Sequence, residues 1–158
     1  MNRTDVIKEI MSQINDDDIV IASTGFISRE VFKYDRSLNF YMTGSMGNAL
    51  SIGIGVALNV KNRVFVINGD GSVLMGLGSM VTLKSFHLPH LHHFILDNNS
   101  HESTGGQKTS SDKINLESMN KNTLVFKIDN TDDIPPRITL SCKQIAERFR
   151  NEIIRIQK

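Results

Sequence analysis

Val64-Phe65-Val66-Ile67-Asn68-Gly69-Asp70-Gly71-Ser72 decides the fold. Its first four residues are the most strand-like run in the chain, and they deliver the backbone directly into a glycine-flanked turn. A helix is predicted to follow, as far as about Phe86. The same alternation repeats on both sides. Upstream, the apolar run 19–22 leads into Ser23-Thr24-Gly25 and a short helix over 28–34. Residues 39–42 then form a strand that leaves into Thr43-Gly44-Ser45-Met46-Gly47, with a helix rich in small residues over 48–58. Downstream, 91–96 is a strand ending in Asp97-Asn98-Asn99, and 100–112 is a polar, aperiodic loop of the kind that carries function. A further strand is predicted at 124–128, followed by the linker Ile134-Pro135-Pro136.

Both ends are helical in pattern. Val6, Ile7, Ile10, Met11 and Ile14 follow Thr4, a candidate N-cap, and predict an amphipathic helix over 5–14. Ile145, Phe149, Glu152, Ile153 and Ile156 mark a terminal helix. Short apolar strands alternating with helices specify an α/β fold, a three-layer parallel sheet with helices on both faces. Such sheets bind ligands at the carboxyl ends of their strands. The turns at 24–25, 44–47, 69–72 and 98–106 all follow strands, so all four can converge on one edge. Gly53 and Gly55 each cost a helix about 1 kcal/mol relative to alanine. Close approach of that helix to the sheet is the expected reason for both.

With 158 residues and 39% hydrophobic side chains, the chain has material for one core, so residues 1–158 are read as a single domain. Eighteen Lys and Arg against 17 Asp and Glu leave a formal charge of +1, and the basic residues are scattered, which argues against a nucleic-acid partner. The N-terminus interleaves apolar residues with charges and has the form of neither a signal peptide nor a membrane anchor, so a cytoplasmic location is expected. The single cysteine, Cys142, excludes an intramolecular disulfide and is expected to be a small buried hydrophobe near the start of the last helix.

Asp70 sits between two glycines at a strand end. Its small neighbours let the backbone approach a phosphate and leave the carboxylate free for a hard cation. Asn98 offers a neutral oxygen from the next strand. Magnesium takes six oxygens and commonly few from protein, with phosphates and water completing the octahedron. His101 and Glu102 are the only titratable pair within residues 101–107; they either move a proton or hydrogen-bond the loop in place. His87, His90, His92 and His93 lack the cysteines or carboxylates that would complete a tetrahedral zinc set, and are read as surface and strand-edge residues. Neither GxGxxG nor a Walker lysine supports a nucleotide-binding domain.

Gly69-Asp70-Gly71-Ser72, then a helix and a strand, then Asp97-Asn98-Asn99, resembles the signature of thiamine-diphosphate enzymes, with Asp97 in place of the first asparagine of the usual pair. The resemblance implies thiamine diphosphate and Mg2+ as cofactors. Asp70 and Asn98 would be the metal ligands together with the Ser100 backbone carbonyl, and Asn99 is the one-residue alternative to Asn98. Gly69, Gly71 and Ser72 would meet the diphosphate. Residues 41–47 resemble the segment that grips the aminopyrimidine, with the Gly44 carbonyl as acceptor, Ser45 beside it and Met46 as the apolar wedge. Ser23-Thr24-Gly25 resembles the first diphosphate-side turn, so Thr24 and Gly25 join the cofactor set. The loop His101-Glu102-Ser103-Thr104-Gly105-Gly106-Gln107 resembles phosphonopyruvate decarboxylases and, more distantly, sulfopyruvate decarboxylases. Arg137-Ile138-Thr139-Leu140 also looks like the carboxyl-terminal part of those enzymes.

In that family the cofactor supplies the decarboxylation chemistry and the protein supplies orientation and proton transfer. Activation depends on a glutamate from a pyrimidine-binding domain. None of Glu9, Glu30, Glu117, Glu147 and Glu152 sits in a matching context. The resemblance thus implies a carboxy-lyase that is active only with a separate pyrimidine-binding subunit, in a hetero-oligomer with its site at the interface. Phosphonopyruvate, yielding phosphonoacetaldehyde and CO2, is the expected substrate, with sulfopyruvate or another 2-oxo acid as the alternative. A non-catalytic interaction module derived from such a subunit is the competing expectation. Between the glycine loop and strand 124–128, family members usually carry more chain, so the domain is expected to be short by roughly one βα unit.

Overall fold

In a computed structural model that describes residues 1–157, Val64–Gly69 forms strand β3, near the middle of the sheet. Val64 and Val66 point to one face, Phe65 and Ile67 to the other, and none is more than 3% exposed. A strand buried on both faces needs cover on both sides. The chain provides it with α1 (Arg3–Ser12), β1 (Ile19–Ala22), α2 (Phe26–Phe32), β2 (Asn39–Tyr41) and α3 (Ala49–Ala57) before β3. After β3 come α4 (Asp70–Met75), α5 (Gly78–Ser85), β4 (Leu91–Asp97), β5 (Thr123–Lys127) and α6 (Cys142–Ile156). The strands lie in the order β2-β1-β3-β4-β5, and every pairing is parallel.

Two apolar clusters follow. Ile19, Ile21, Val66 and Ile95 pack with Leu50 and Ile54 of α3 and with Met80 and Leu83 of α5. On the other face Val20, Ile67 and Leu96 pack with Val6, Ile7 and Ile10 of α1 and with Val31 of α2. Burying each of these side chains contributes roughly 1.5–3 kcal/mol. Helix α6 closes the β2 edge, placing Ile145 in the second cluster and Phe149 in the first, its ring 5.2 Å from that of Phe40.

Several expectations shift by a few residues, for physical reasons. The N-cap of α1 is Asn2 rather than Thr4: its side chain accepts from the Asp5 N–H at 2.9 Å while Asp5 reaches back to the Asn2 N–H, completing a capping box. The helix expected to run from the glycine turn to Phe86 is broken into α4 and α5. Gly76, at the break, lies so close to the 43–47 turn that a Cβ there would stand 2.0 Å from the Gly47 carbonyl oxygen. Close approach explains Gly53, where a Cβ would lie 2.2 Å from Val66 Cγ2, but not Gly55, which faces open space. Cys142 is exposed, contrary to expectation, as the first residue of α6, with its Sγ 3.2 Å from Thr43 Oγ1. His93 is likewise no surface histidine: β4 is an interior strand, and His93 is completely buried on it.

The β4–β5 connection contains three short 3₁₀ turns, Glu102–Thr104, Ser111–Lys113 and Glu117–Met119, and no α-helix. This leaves β5 as an edge strand with Leu124 half exposed, in keeping with a domain short by a βα unit. No helix among the described residues is long and apolar enough to cross a membrane.

Candidate active site

Because β1 connects to β2 on one side and its neighbour on the other side is β3, the sheet has its switch point between the carboxyl ends of β1 and β3. A small cleft, partly open to solvent, lies there. Thr24, Met46, Gly69, Asp70, Gly71, Ser72, Asn98, Ser100, His101 and Glu102 all line it. Gly25 adjoins the cleft in the left-handed region at φ +91°, where a Cβ would meet Ser103 Oγ at 3.1 Å. Gly44 and Ser45 instead line a neighbouring groove with Met42 and Cys142, so the 44–47 segment turns a corner and presents Met46 alone to the cleft.

Asp70 opens α4 and is 2% exposed. Its Oδ2 accepts from the Thr109 hydroxyl, which also lies 3.2 Å from Asn99 Oδ1. Burial raises the Asp70 pKa above the usual carboxylate range, opposed by the Thr109 hydrogen bond and reinforced by the charge of Asp97. Asp97, at the end of β4, shifts the opposite way: burial raises it, but the Lys127 ammonium and a 2.7 Å hydrogen bond from Ser111 Oγ more than offset that. Of these two neighbouring carboxylates, one is neutralised by a lysine. The other has no cationic side chain paired with it among the described residues. A buried carboxylate in that condition fits a bound cation.

The amide oxygen of Asn98 accepts from the Ser100 N–H at 3.1 Å, and its nitrogen donates to Asn130 Oδ1 at 2.8 Å. Asn98 therefore faces the cleft, while Asn99, at φ +53°, is tied to Asp70 through Thr109. Both asparagines stay within the candidate ligand set. One carboxylate with neutral oxygens is a hard-cation set. No group of three or more His, Cys, Asp or Glu side chains able to hold a metal occurs among the described residues.

Gly71 is closely packed: a Cβ there would stand 2.6 Å from His101 Cε1 and 3.0 Å from Thr109 Cγ2, so a larger residue would displace the His101 ring. The His101 ring thus lies against the glycine turn. Glu102 is held elsewhere, its Oε2 2.5 Å from Arg3 Nη1 and its Oε1 accepting from the Thr131 N–H at 3.1 Å. With both oxygens engaged, Glu102 has the geometry of the loop-anchoring alternative rather than of a proton carrier. Arg3, 2% exposed, also donates to the Asp133 carbonyl at 2.6 Å and lies 5.0 Å over the Phe26 ring.

Four contributors were not foreseen: Arg3, Asn68, His93 and Thr109. Asn68, the last residue before the glycine turn, lies 3.0 Å from His93 Nε2 through Nδ2 and accepts from Ser72 Oγ at 3.2 Å. Burial pulls the His93 pKa down to about 3, so the ring is neutral at physiological pH. Thr109 had a signal, since it falls in the aperiodic loop. Arg3 and His93 had none, because their partners are distant in sequence.

A family model described as "Thiamine pyrophosphate enzyme, C-terminal TPP binding domain" matches residues 23–149. The chain is 45% identical over 152 residues to the "Sulfopyruvate decarboxylase subunit beta" of Methanocaldococcus jannaschii, covering 96% of this chain and 77% of that one. Its similarity to the protein of the same description from Methanothermobacter thermautotrophicus is 36% over 179 aligned positions, covering 97% and 96%. That alignment is longer than this chain, so that relative carries residues with no counterpart here. A "Phosphonopyruvate decarboxylase" of Streptomyces viridochromogenes is 43% identical over 115 residues, which are 72% of this chain but only 29% of the relative. Match, fold and glycine turn agree: the chain belongs to the thiamine pyrophosphate enzymes, through their C-terminal TPP binding domain.

Proposed function

We propose that the chain is the diphosphate-binding subunit of a thiamine-diphosphate-dependent decarboxylase acting on a small 2-oxo acid with a second acidic group. The observation that carries this reading is Asp70, a buried carboxylate with no cationic side chain paired to it among the described residues, at the switch point and beside Gly71, over which the His101 ring is closely packed. Asp70, Asn98 and the Ser100 carbonyl would hold Mg2+, while Gly69, Gly71 and Ser72, with Thr24 and Gly25 opposite, would hold the diphosphate. Gly44, Ser45 and Met46 would meet the aminopyrimidine end. When bound, the cofactor supplies the electron sink for loss of CO2.

The chain's own residues orient that group and exclude water. The His101 ring rests on Gly71 and would hold or deliver a proton to the bound group, and Glu102 keeps the loop that carries it against α1. A separate pyrimidine-binding partner would supply the activating glutamate. The comparisons favour that split: the chain covers most of each of two free-standing beta subunits and under a third of the phosphonopyruvate decarboxylase. The 101–107 loop favours phosphonopyruvate as substrate, while the coverage favours sulfopyruvate. Side-by-side assays of both acids with the co-purified pair test the reading. CO2 release from either supports it, and inactivity of the magnesium- and cofactor-loaded pair on both overturns it.

One observation favours a second reading, a non-catalytic module. His101 and Thr109 already occupy the space over Gly71 and Asp70, and the β4–β5 connection lacks a helix. Failure of the chain to bind the cofactor would select it.

A further inference from the structure

We propose that Asn68 and His93 are positioning residues that saturate the Ser72 hydroxyl, so that Ser72 can serve the diphosphate only through its backbone N–H while its side chain clamps the two walls of the cleft together. This rests on the cofactor site argued above. The observations are a continuous buried polar chain across three strands. Thr123 Oγ1 lies 3.2 Å from His93 Nδ1, His93 Nε2 lies 3.0 Å from Asn68 Nδ2, and Asn68 Oδ1 accepts from Ser72 Oγ at 3.2 Å. Ser72 Oγ then accepts from Ser23 Oγ at 2.9 Å and from the Gly47 N–H at 3.1 Å. None of the side chains in this chain is more than 4% exposed.

A hydroxyl offers one proton and two lone pairs, and Ser72 Oγ has three partners. Reversing the Asn68 amide and the His93 tautomer reverses the chain's polarity but not that count: Ser72 would then accept from Asn68 and Gly47 and donate to Ser23. In either sense no capacity remains for a phosphate oxygen. The same oxygen joins the turn after β1 and the first turn of α4, both assigned to the diphosphate, to the turn before α3, assigned to the aminopyrimidine end. Deep burial keeps the His93 ring neutral, so it can give Asn68 one acceptor or one donor and fix which way the amide faces. Buried polar groups left half-satisfied are costly. A histidine fully buried on an interior strand, with both ring nitrogens engaged and no contact with the cleft, is explained by this task.

The test uses the full chain co-expressed with its partner and has two readouts. Hydrogen exchange at the Gly47 amide without cofactor reports the clamp alone. Calorimetric affinity for magnesium thiamine diphosphate reports its consequence. His93→Leu is expected to accelerate Gly47 exchange and weaken cofactor binding, each by about tenfold. His93→Gln, which keeps a polar atom towards Asn68, is expected to restore both to within about threefold. Should His93→Leu fail to fold, Ser72→Ala, which deletes the shared oxygen and creates little void, is expected to give the same loss of Gly47 protection. Unchanged Gly47 exchange in the folded variant overturns the inference. So does tighter cofactor binding in His93→Leu, the result expected if a released hydroxyl served the phosphate directly. Faster Gly47 exchange in the variants, together with a wild-type protein that binds no cofactor, leaves the clamp standing and overturns the cofactor reading instead.

Discussion

Arg3, in the first turn of α1, and Glu102, in the glycine loop, meet at 2.5 Å although they stand 99 positions apart in sequence. The arginine is 2% exposed and the glutamate 17%, so this is a nearly dry ion pair that ties the N-terminal helix to the loop holding His101. Removing one partner strands a charge. Arg3→Met is expected to destabilise the chain by about 3 kcal/mol, the low end for a broken buried pair because Glu102 keeps some solvent. The double variant Arg3→Met/Glu102→Met should recover most of that loss. Urea unfolding of the four proteins in a double-mutant cycle measures the coupling; independent, additive losses would show that the pair does not hold the loop.

Gly53 and Gly55 make opposite predictions from the same helix. On propensity alone, alanine gains about 1 kcal/mol at either site. At Gly53 the added methyl would collide with Val66 Cγ2 on the central strand, and overpacking there is expected to cost about 1–3 kcal/mol. At Gly55 nothing lies within 4 Å, so Gly55→Ala should stabilise by about 0.5–1 kcal/mol. Thermal unfolding of the two single variants checks the signs.

These two glycines also show how far the sequence could be read. Alternating apolar runs and glycine turns were sufficient for the layer architecture, because a strand buried on both faces leaves a compositional trace. Asp70, Asn98 and the 101–107 loop were legible because local spacing carries them. The break at Gly76 was not, since it depends on a backbone contact with Gly47, 29 positions earlier, and a helical pattern continues through it. His93 was misread because the alternation of His92 and His93 does not say whether β4 is an edge or an interior strand; only the sheet order decides that. Arg3 looked like any polar residue ahead of an amphipathic helix.

His93 makes stability acid-sensitive in a defined window. Its pKa falls from an ordinary 6.5 to about 3 on burial. The unfolded chain therefore takes up a proton below about 6.5 that the folded chain refuses. The stabilisation is complete above that pH and is lost as pH falls towards 3, with a slope approaching about 1.4 kcal/mol per pH unit. His93→Gln lacks this term, so its stability should decline less steeply between pH 6.5 and 4. Parallel pH profiles for the two proteins would contradict the burial of a neutral ring.

Asp70 carries the reverse sign. Its pKa is raised, so stability is lost as pH rises through the carboxylate range, and without a cation the folded chain bears that penalty at neutral pH. Asp70→Asn is expected to raise Tm at pH 7 by roughly 2–4 °C, the effect of about 1 kcal/mol in a domain of this size. The gain should shrink below pH 4. Adding Mg2+ with thiamine diphosphate should raise the wild-type Tm and leave that of the variant unchanged. A variant less stable than wild type at pH 7 would show that Thr109 and the surrounding dipoles already satisfy the carboxylate.

The most direct measurement is a calorimetric titration of thiamine diphosphate into the chain paired with its partner subunit, with Mg2+ present, with Mg2+ removed by chelation, and with Asp70→Ala in place of wild type. Saturable binding that needs Mg2+ and weakens at least a hundredfold, about 2.7 kcal/mol or more, in Asp70→Ala is the predicted result. Binding that ignores both the metal and the substitution, or no binding at all, would contradict the assignment of this cleft.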